Sequence, residues 1–167
     1  MNPLRSQLPL IFLKPAEIYL GDQPAIVTTT LGSCVSIIFY DRVHNLSAIS
    51  HALLPAANGQ RNRFKYVDSG FSWMLEQFQL RGVKMDRVQV KLFGGADLLE
   101  YDNGDFRKAT IGQQNIQKAL ELVEAHGLNL KASNLGGTLG QKIFFYTQCG
   151  KVLVKKIEKV CWLSHKQ

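Results

Sequence analysis

Cys34 and His51 are the residues of this sequence whose types and spacing could do chemistry. Cys34 follows Gly32 and Ser33 at the start of an apolar run, and His51 lies in the next apolar run, seventeen residues later. If the two runs are neighbouring antiparallel strands, the thiol and the imidazole come side by side. A cysteine attacks well only as a thiolate, so a base beside it would make it a nucleophile.

The Gly32-Ser33 turn could also stabilise negative charge on a substrate. Glycine lets the backbone turn sharply and leaves N–H groups near the sulfur. Such groups can form an oxyanion hole, in which one donor contributes roughly 3 kcal/mol. The base needs a third group to fix its ring. Strand alternation puts Thr28 and Thr30 on one face and Thr29 on the other, and alternation alone does not choose among them.

Both residues of the pair also have a plain structural interpretation. Cys34 could be a small buried hydrophobe before a strand, as many cysteines are. His51 shares one face of its predicted strand with Ile49 and Leu53, so it could equally be a core histidine with a satisfied ring. The residues by themselves leave these alternatives open.

The chain has three cysteines, Cys34, Cys149 and Cys161, an odd number at wide spacing. They show neither the CxxC spacing of a zinc site nor the dense framework of a secreted mini-domain. The four histidines form no HxH or HExxH pattern. We therefore expect no metal and no cofactor, and we interpret Cys149 and Cys161 as structural or incidental.

Composition favours a cytoplasmic globular protein of ordinary size. Of its 167 residues, 46% are hydrophobic and 20% are charged, which suits one domain with a substantial core. The apolar run from Leu8 to Leu13 is too short to span a bilayer, so we expect no membrane insertion. The net charge of +7 comes without a recognisable nucleic-acid-binding motif. We therefore expect an acidic protein partner and no nucleic acid.

The hydrophobic patterns predict an α+β fold, a single-domain layered α/β sandwich with a mixed or antiparallel sheet and two main helices. The helices are expected from Tyr66 to Leu80 and from a Thr110 cap to Ala125. The expected strands are Ile11–Leu20 with a bend at Pro15, Ala25–Thr30, Val35–Tyr40, Leu46–Leu54, Val88–Phe93, Leu128–Ala132, Lys142–Thr147 and Lys151–Ile157. Residues 1–10 are predicted to be a loose arm, 11–160 the domain and 161–167 a tail.

Two loops superficially resemble ligand-binding motifs. The acidic stretch from Glu100 to Arg107 lacks the closing glutamate and the ligand spacing of a calcium loop. The glycine-rich stretch from Gly136 to Gly140 lies between predicted strands, without the helix N-terminus that cradles a phosphate. We assign neither loop a ligand.

Five blocks of the sequence, in their order and spacing, resemble one known family. They are Thr28-Thr29-Thr30-Leu31-Gly32-Ser33-Cys34-Val35, His51-Ala52-Leu53-Leu54-Pro55, Lys91-Leu92-Phe93-Gly94-Gly95-Ala96, Ile111-Gly112-Gln113-Gln114-Asn115, and Asn134-Leu135-Gly136-Gly137 with Gly140. The family is that of the chemoreceptor glutamine deamidases, CheD, and the resemblance runs from about Ile11 to Ile157.

The resemblance implies a Cys-His-Thr triad, with the threonine six residues before the cysteine. Those positions are Thr28, Cys34 and His51. A Cys34 thiolate paired with a protonated His51 would attack the amide, with Gly32 and Ser33 at the oxyanion site and Thr28 orienting the imidazole.

The resemblance also implies a substrate and partners. Side-chain amides of particular glutamines on methyl-accepting chemoreceptors would be hydrolysed to glutamates through a cysteine thioester, which tunes chemotactic adaptation. A CheC-type phosphatase is a further implied partner. The alternative function is a non-catalytic regulatory module that binds such a phosphatase or receptor helices.

Three positions depart from the family pattern. Ala16 stands where the family often has glycine, Asn134 where it often has aspartate, and Gln141 where it commonly has arginine. None of these positions belongs to the triad. We expect the loss of the arginine to weaken a loop anchor or a contact with the receptor or partner.

Overall fold

The computed structural model describes residues 7–98 and 108–158. Within these ranges the chain forms two α-helices, α1 (Val67–Leu80) and α2 (Ile111–Ala125), with short 3-10 helices at Arg63–Lys65 and Met85–Arg87. The strands are β1 (Leu10–Phe12), β2 (Ile18–Gly21), β3 (Ile26–Leu31), β4 (Val35–Asp41), β5 (Leu46–Ser50), β6 (Gln89–Gly94), β7 (Asn129–Leu135), β8 (Gly140–Tyr146) and β9 (Lys151–Ile157). Among the helices of these ranges, none has the length and apolar character needed to cross a membrane.

The strands form two mixed sheets. One has four strands in the order β1-β3-β8-β9, and the other has five in the order β2-β5-β4-β6-β7. Each sheet contains one parallel pair, β1 with β3 and β6 with β7, and its remaining pairs are antiparallel. The predicted layered α+β sandwich is confirmed.

The five-stranded sheet is the middle layer. All seven residues of β4 are buried, because one face of this central strand meets the helices and the other meets the second sheet. Val35, Ile37 and Phe39 pack in the helix-side core. Ile38 packs in the core between the sheets, together with Ile49 of β5. Alternate residues of β4 and β5 therefore enter different cores.

Two predicted strands end differently in the structure. The expected Ile11–Leu20 strand is divided into β1 and β2, because Pro15 and Ala16, with a φ of 63°, break the extended backbone. The two pieces join different sheets. The strand expected to run to Leu54 ends at Ser50, and beyond it only isolated bridges are formed within the described ranges.

Some sequence predictions lie outside the described residues. These are the acidic loop of residues 100–107, the tail at 161–167 with Cys161, and the first six residues of the predicted arm. The described part of that arm, residues 7–10, leads into β1, which begins at Leu10.

Candidate active site

Cys34 and His51 lie on neighbouring antiparallel segments. Val35 and Ala52 form a bridge between these segments, with N–H···O distances of 3.0 and 2.9 Å. Counting outward from that bridge puts Cys34 and His51 at diagonal positions on one face, where Cβ atoms are typically about 7 Å apart. It is the face toward the second sheet, whose core includes Cys34. The structure therefore places the predicted thiol and imidazole on the same face of neighbouring segments.

The nucleophile turn, residues 32–34, packs directly against the turn that follows β6. Two of its carbonyls accept hydrogen bonds from the N–H groups of Gly95 and Ala96, both at 2.9 Å. Gly94 has a φ of 103°, and a Cβ there would lie 2.1 Å from the carbonyl oxygen of Cys34. A side chain at this position would push the nucleophile turn outward. The Gly-Gly-Ala block of the sequence thus supports the backbone at Cys34.

The third carbonyl of the nucleophile turn, that of Ser33, is held by α2. It accepts a hydrogen bond from Nδ2 of the buried Asn115 at 3.0 Å. Within the described residues, the N–H groups of Ser33 and Cys34 donate to no backbone carbonyl. With its carbonyls fixed and these N–H groups available, the turn has the donors that an oxyanion site requires.

His51 is 3% exposed, and its ring is held by Thr29. The Thr29 Oγ1 lies 2.7 Å from His51 Nδ1 and 2.8 Å from the carbonyl oxygen of Leu13. The single hydroxyl proton must go to the carbonyl, which can only accept, so Oγ1 accepts from Nδ1–H. This arrangement places the proton of the neutral ring on Nδ1 and leaves the lone pair on Nε2.

The structure does not bring Thr28 to the imidazole, where the family pattern placed it. The Thr28 hydroxyl instead donates to the carbonyl of Ile143 at 2.8 Å. Val27 and Leu31 pack in the core between the sheets, and alternation puts Thr29 on their side of β3 and Thr28 on the opposite side. The hydroxyl on the ring is therefore five residues before the cysteine, not six.

Burial opposes charge on both members of the pair. It raises the pKa of the Cys34 thiol, an effect that the residue's own N–H partly offsets. It lowers the pKa of His51 from 6.5 to about 4. The thiolate–imidazolium pair expected from the sequence would remove two charges from water. Burial therefore favours a resting pair of a thiol and a neutral imidazole over the charged pair expected from the sequence.

The backbone of His51 is clamped by the segment that leads into β2. The N–H of Ala16 donates to the His51 carbonyl at 2.9 Å, and the N–H of His51 donates to the Glu17 carbonyl at 3.1 Å. Ala16 has a φ of 63°, in the left-handed region where a Cβ is strained. The family's usual glycine would remove that strain, so this departure lies directly beside the imidazole.

The other two residues that depart from the family pattern, Asn134 and Gln141, contact each other. The buried Gln141 donates from Nε2 to the carbonyl of Asn134 at 3.0 Å, and Lys156 reaches Asn134 Oδ1 at 3.2 Å. Gln141 is paired with Leu31, next to the nucleophile turn. An uncharged amide therefore anchors the loop at the position where the family has arginine.

The second described cysteine, Cys149, is exposed in the β8–β9 hairpin, and Cys161 lies outside the described residues. The described ranges contain no group of three or more histidine, cysteine, aspartate or glutamate residues placed to hold a metal ion.

The sequence pointed to Cys34 and His51, left Thr29 open among three threonines until the resemblance selected Thr28, and missed Asn115. Thr29 could have been found from alternation if the buried face of β3 had been known. Asn115 belongs to a block noted only for its resemblance, and no local pattern signals its distant contacts.

Among solved structures, the chain is similar to the Bacillus licheniformis hypothetical protein YfiH. The two are 14% identical with a TM-score of 0.47, over 72% of this chain and 51% of that one. A likeness at that level carries no functional argument.

Sequence relatives are much nearer. Residues 53–156 match the family model described as CheD chemotactic sensory transduction. The chain is 42% identical to the probable chemoreceptor glutamine deamidase CheD 2 of Geobacter sulfurreducens, over 95% of this chain and 97% of that protein. It is 36% identical to the probable chemoreceptor glutamine deamidase CheD of Maridesulfovibrio salexigens, over 93% and 96%. The chain belongs to the CheD family.

Proposed function

We propose that this protein is a chemoreceptor glutamine deamidase in which Cys34 is the nucleophile and His51 its base. The observation that carries the assignment is the hydrogen bond from Nδ1 of His51 to Thr29, which keeps Nε2 unprotonated on the face that it shares with Cys34. Family membership supports the substrate, the side-chain amides of glutamines on methyl-accepting chemoreceptors.

The first half of the reaction starts from the neutral pair. As Sγ of Cys34 attacks the glutamine Cδ, the thiol proton passes to Nε2 of His51. The carbonyl oxygen becomes an oxyanion, stabilised by the N–H groups of Ser33 and Cys34. The imidazolium then protonates the amide nitrogen, the C–N bond breaks, ammonia leaves, and a thioester remains on Cys34.

The second half returns the enzyme to its starting state. Nε2 of His51 takes a proton from water as the water oxygen attacks the thioester carbon. The C–S bond breaks, the glutamate product leaves, and the proton on Nε2 returns to Sγ of Cys34. Thr29 accepts from Nδ1–H throughout, so the ring keeps one orientation in both steps. As a neutral group, it orients the imidazolium without adding a counter-charge.

A non-catalytic binding module is the weaker candidate. A docking surface gains nothing from a buried imidazole fixed in one tautomer beside a partly exposed thiol. Binding of a CheC-type phosphatase stays a prediction, which isothermal titration with such a protein would test.

The deciding experiment incubates the protein with a chemoreceptor cytoplasmic fragment and follows each glutamine by mass spectrometry. We expect wild type to convert specific glutamines to glutamates and Cys34→Ala to convert none. The absence of conversion by wild type, or equal conversion by Cys34→Ala, would contradict the assignment. His51→Gln is expected to lower the rate by about 10²–10⁴-fold, the usual contribution of a general acid–base group.

A further inference from the structure

Asn115 carries a fully buried amide that the proposed reaction does not use. Its Nδ2 donates to the carbonyl of Ser33 and to that of Leu53, both at 3.0 Å. Both partners can only accept, so chemistry fixes the amide orientation with Nδ2 facing them. The opposite atom, Oδ1, is buried and has no partner in the described part of the chain. A buried acceptor without a partner costs free energy, which offsets the gain from the two hydrogen bonds of Nδ2. The amide therefore contributes little net stability of its own.

The two carbonyls belong to the segments that carry the proposed nucleophile and base. Ser33 immediately precedes Cys34, and Leu53 follows His51 by two residues. The segments are 82 and 62 residues from Asn115 in the chain. A single side-chain nitrogen is therefore bonded to both halves of the candidate site.

Asn115 lies where the strand pairing between these segments stops. β5 ends at Ser50, and the last bridge joins Val35 to Ala52. Beyond it, the N–H groups of Leu53 and Leu54 turn away and donate to the carbonyl of Lys65, at 2.8 and 3.2 Å. The segments separate at the position of Cys34, and the Asn115 amide is inserted between them.

Gly112 lets α2 come close enough for this contact. A Cβ on Gly112 would lie 2.6 Å from the carbonyl oxygen of Gly95 and 2.7 Å from that of Ala96. Those residues donate to the nucleophile turn. The first turn of α2 thus packs against the turn that supports Cys34, and Asn115 lies one helical turn further along.

We propose that Asn115 is a positioning residue that locks the nucleophile turn to the His51 segment and so sets the distance between Sγ and Nε2. The inference rests on the proposed function of Cys34 and His51. Proton transfer depends steeply on that distance, and a misplacement of about 1 Å can cost on the order of 10²-fold in rate. Asn115 touches no substrate, so its loss should lower kcat and leave KM nearly unchanged.

The test compares Asn115→Leu, which keeps the number and branching of the side-chain heavy atoms and removes both hydrogen bonds, with Thr147→Val. Thr147 is a control because its buried Oγ1 also makes two hydrogen bonds to a segment distant in sequence, accepting from the Ala25 N–H at 2.8 Å and donating to the Gln23 carbonyl at 2.9 Å. It lies by the opposite end of β3 from Cys34. Kinetics of receptor-fragment deamidation and urea unfolding would be measured on both variants and wild type.

We expect both variants to lose stability, and only Asn115→Leu to lose about 10–100-fold in kcat. Equal kcat losses in the two variants, or an Asn115→Leu defect confined to KM, would overturn the positioning role. Asn115→Asp, which can donate one hydrogen when protonated, should give a kcat between those of wild type and Asn115→Leu.

Two further results distinguish a failure of the role of Asn115 from a failure of the assignment of Cys34 and His51. If Cys34→Ala is inactive while Asn115→Leu keeps the wild-type kcat, the positioning role alone fails; if Cys34→Ala stays active, the site assignment fails with it. Should Asn115→Leu not fold, NMR of the wild type decides. Both Nδ2 hydrogens of Asn115 should exchange slowly with solvent, and fast exchange would overturn the proposal.

Discussion

Two turns in the described part of the chain carry a cysteine, and they are held in different ways. The nucleophile turn has all three carbonyls bonded to distant parts of the chain, the post-β6 turn and α2. The β8–β9 hairpin is closed by its own backbone, because the N–H groups of Cys149 and Gly150 both donate to the Tyr146 carbonyl, at 3.3 and 2.9 Å. Its long-range contacts come from two side chains, Tyr40 on the Gln148 carbonyl and Lys91 on the Gly150 carbonyl. Cys34 is partly buried and Cys149 is exposed.

The two turns share their local features and differ in their long-range contacts. A glycine within two residues of the cysteine and a neighbouring strand are present in both turns, so these local features do not distinguish them. Of the two turns, the nucleophile turn is the one that shares a long-range contact, Asn115, with the segment that carries a base, His51. The chemistry is therefore expected to follow tertiary contacts rather than turn type.

The largest expected effect separates the two cysteines directly. Cys34→Ala should lower receptor-glutamine deamidation by at least about 10³-fold, because the nucleophile is lost. Cys149→Ala should leave the rate unchanged. Mass spectrometry of the receptor fragment measures both. A comparable loss in Cys149→Ala would remove the distinction between the two turns.

Burial of His51 should also make the free energy of unfolding depend on pH. His51 has a folded pKa of about 4 against an ordinary value of 6.5. Above pH 6.5 neither state binds the proton, so the full stability is present. As the pH falls toward 4, the unfolded chain takes up the proton and the folded chain does not. Wild type should therefore lose about 3 kcal/mol relative to His51→Gln across this range.

Urea unfolding of wild type and His51→Gln between pH 7.5 and 4 measures this difference. A stability difference that stays constant over the range would mean that the imidazole is not held neutral by burial. Other effects of acid or salt on the free energy of unfolding occur in both proteins and cancel in the difference.

Substitutions of Thr28 and Thr29 in β3 test which hydroxyl orients the imidazole of His51. Thr29→Val removes the acceptor of Nδ1–H and should lower kcat by about 3–10-fold, the equivalent of one hydrogen bond. Thr28→Val loses its bond to Ile143 and should lower stability by about 1 kcal/mol with an unchanged kcat. The two variants exchange one buried hydroxyl each, so steady-state kinetics isolates the contact with His51. The reverse order would restore the role that the family pattern gives Thr28.

The smallest expected effects concern residues in the left-handed region. Gly150 has a φ of 74° in the hairpin, and Ala16 has a φ of 63° beside His51. Ala16→Gly should raise the free energy of unfolding by about 1 kcal/mol, since it removes the Cβ strain. Gly150→Ala should lower it by more than that, because the added Cβ also meets Tyr40 at 2.6 Å. Urea unfolding checks both, and a destabilised Ala16→Gly would contradict the strain assigned to that segment.

The order of the elements and the pair Cys34 and His51 could be predicted from sequence, because both depend on local patterns. Alternating apolar residues place His51 on one face of its strand, and glycines mark the turns. The choice of Thr29 depends on which face of β3 meets the second sheet, which no local window contains. The contacts of Asn115 lie 62 and 82 residues away, and the neutral state of the pair follows from burial.

The covalent intermediate offers the most direct test of Cys34 as the nucleophile. The protein and a receptor fragment would be mixed, quenched in acid before the first turnover is complete, digested and mapped by mass spectrometry. We expect a thioester between Cys34 and the substrate glutamine carbon, with a mass equal to both peptides minus one ammonia. Glutamate formation with the adduct on Cys149, or with no adduct on Cys34 at any quench time, would contradict the account.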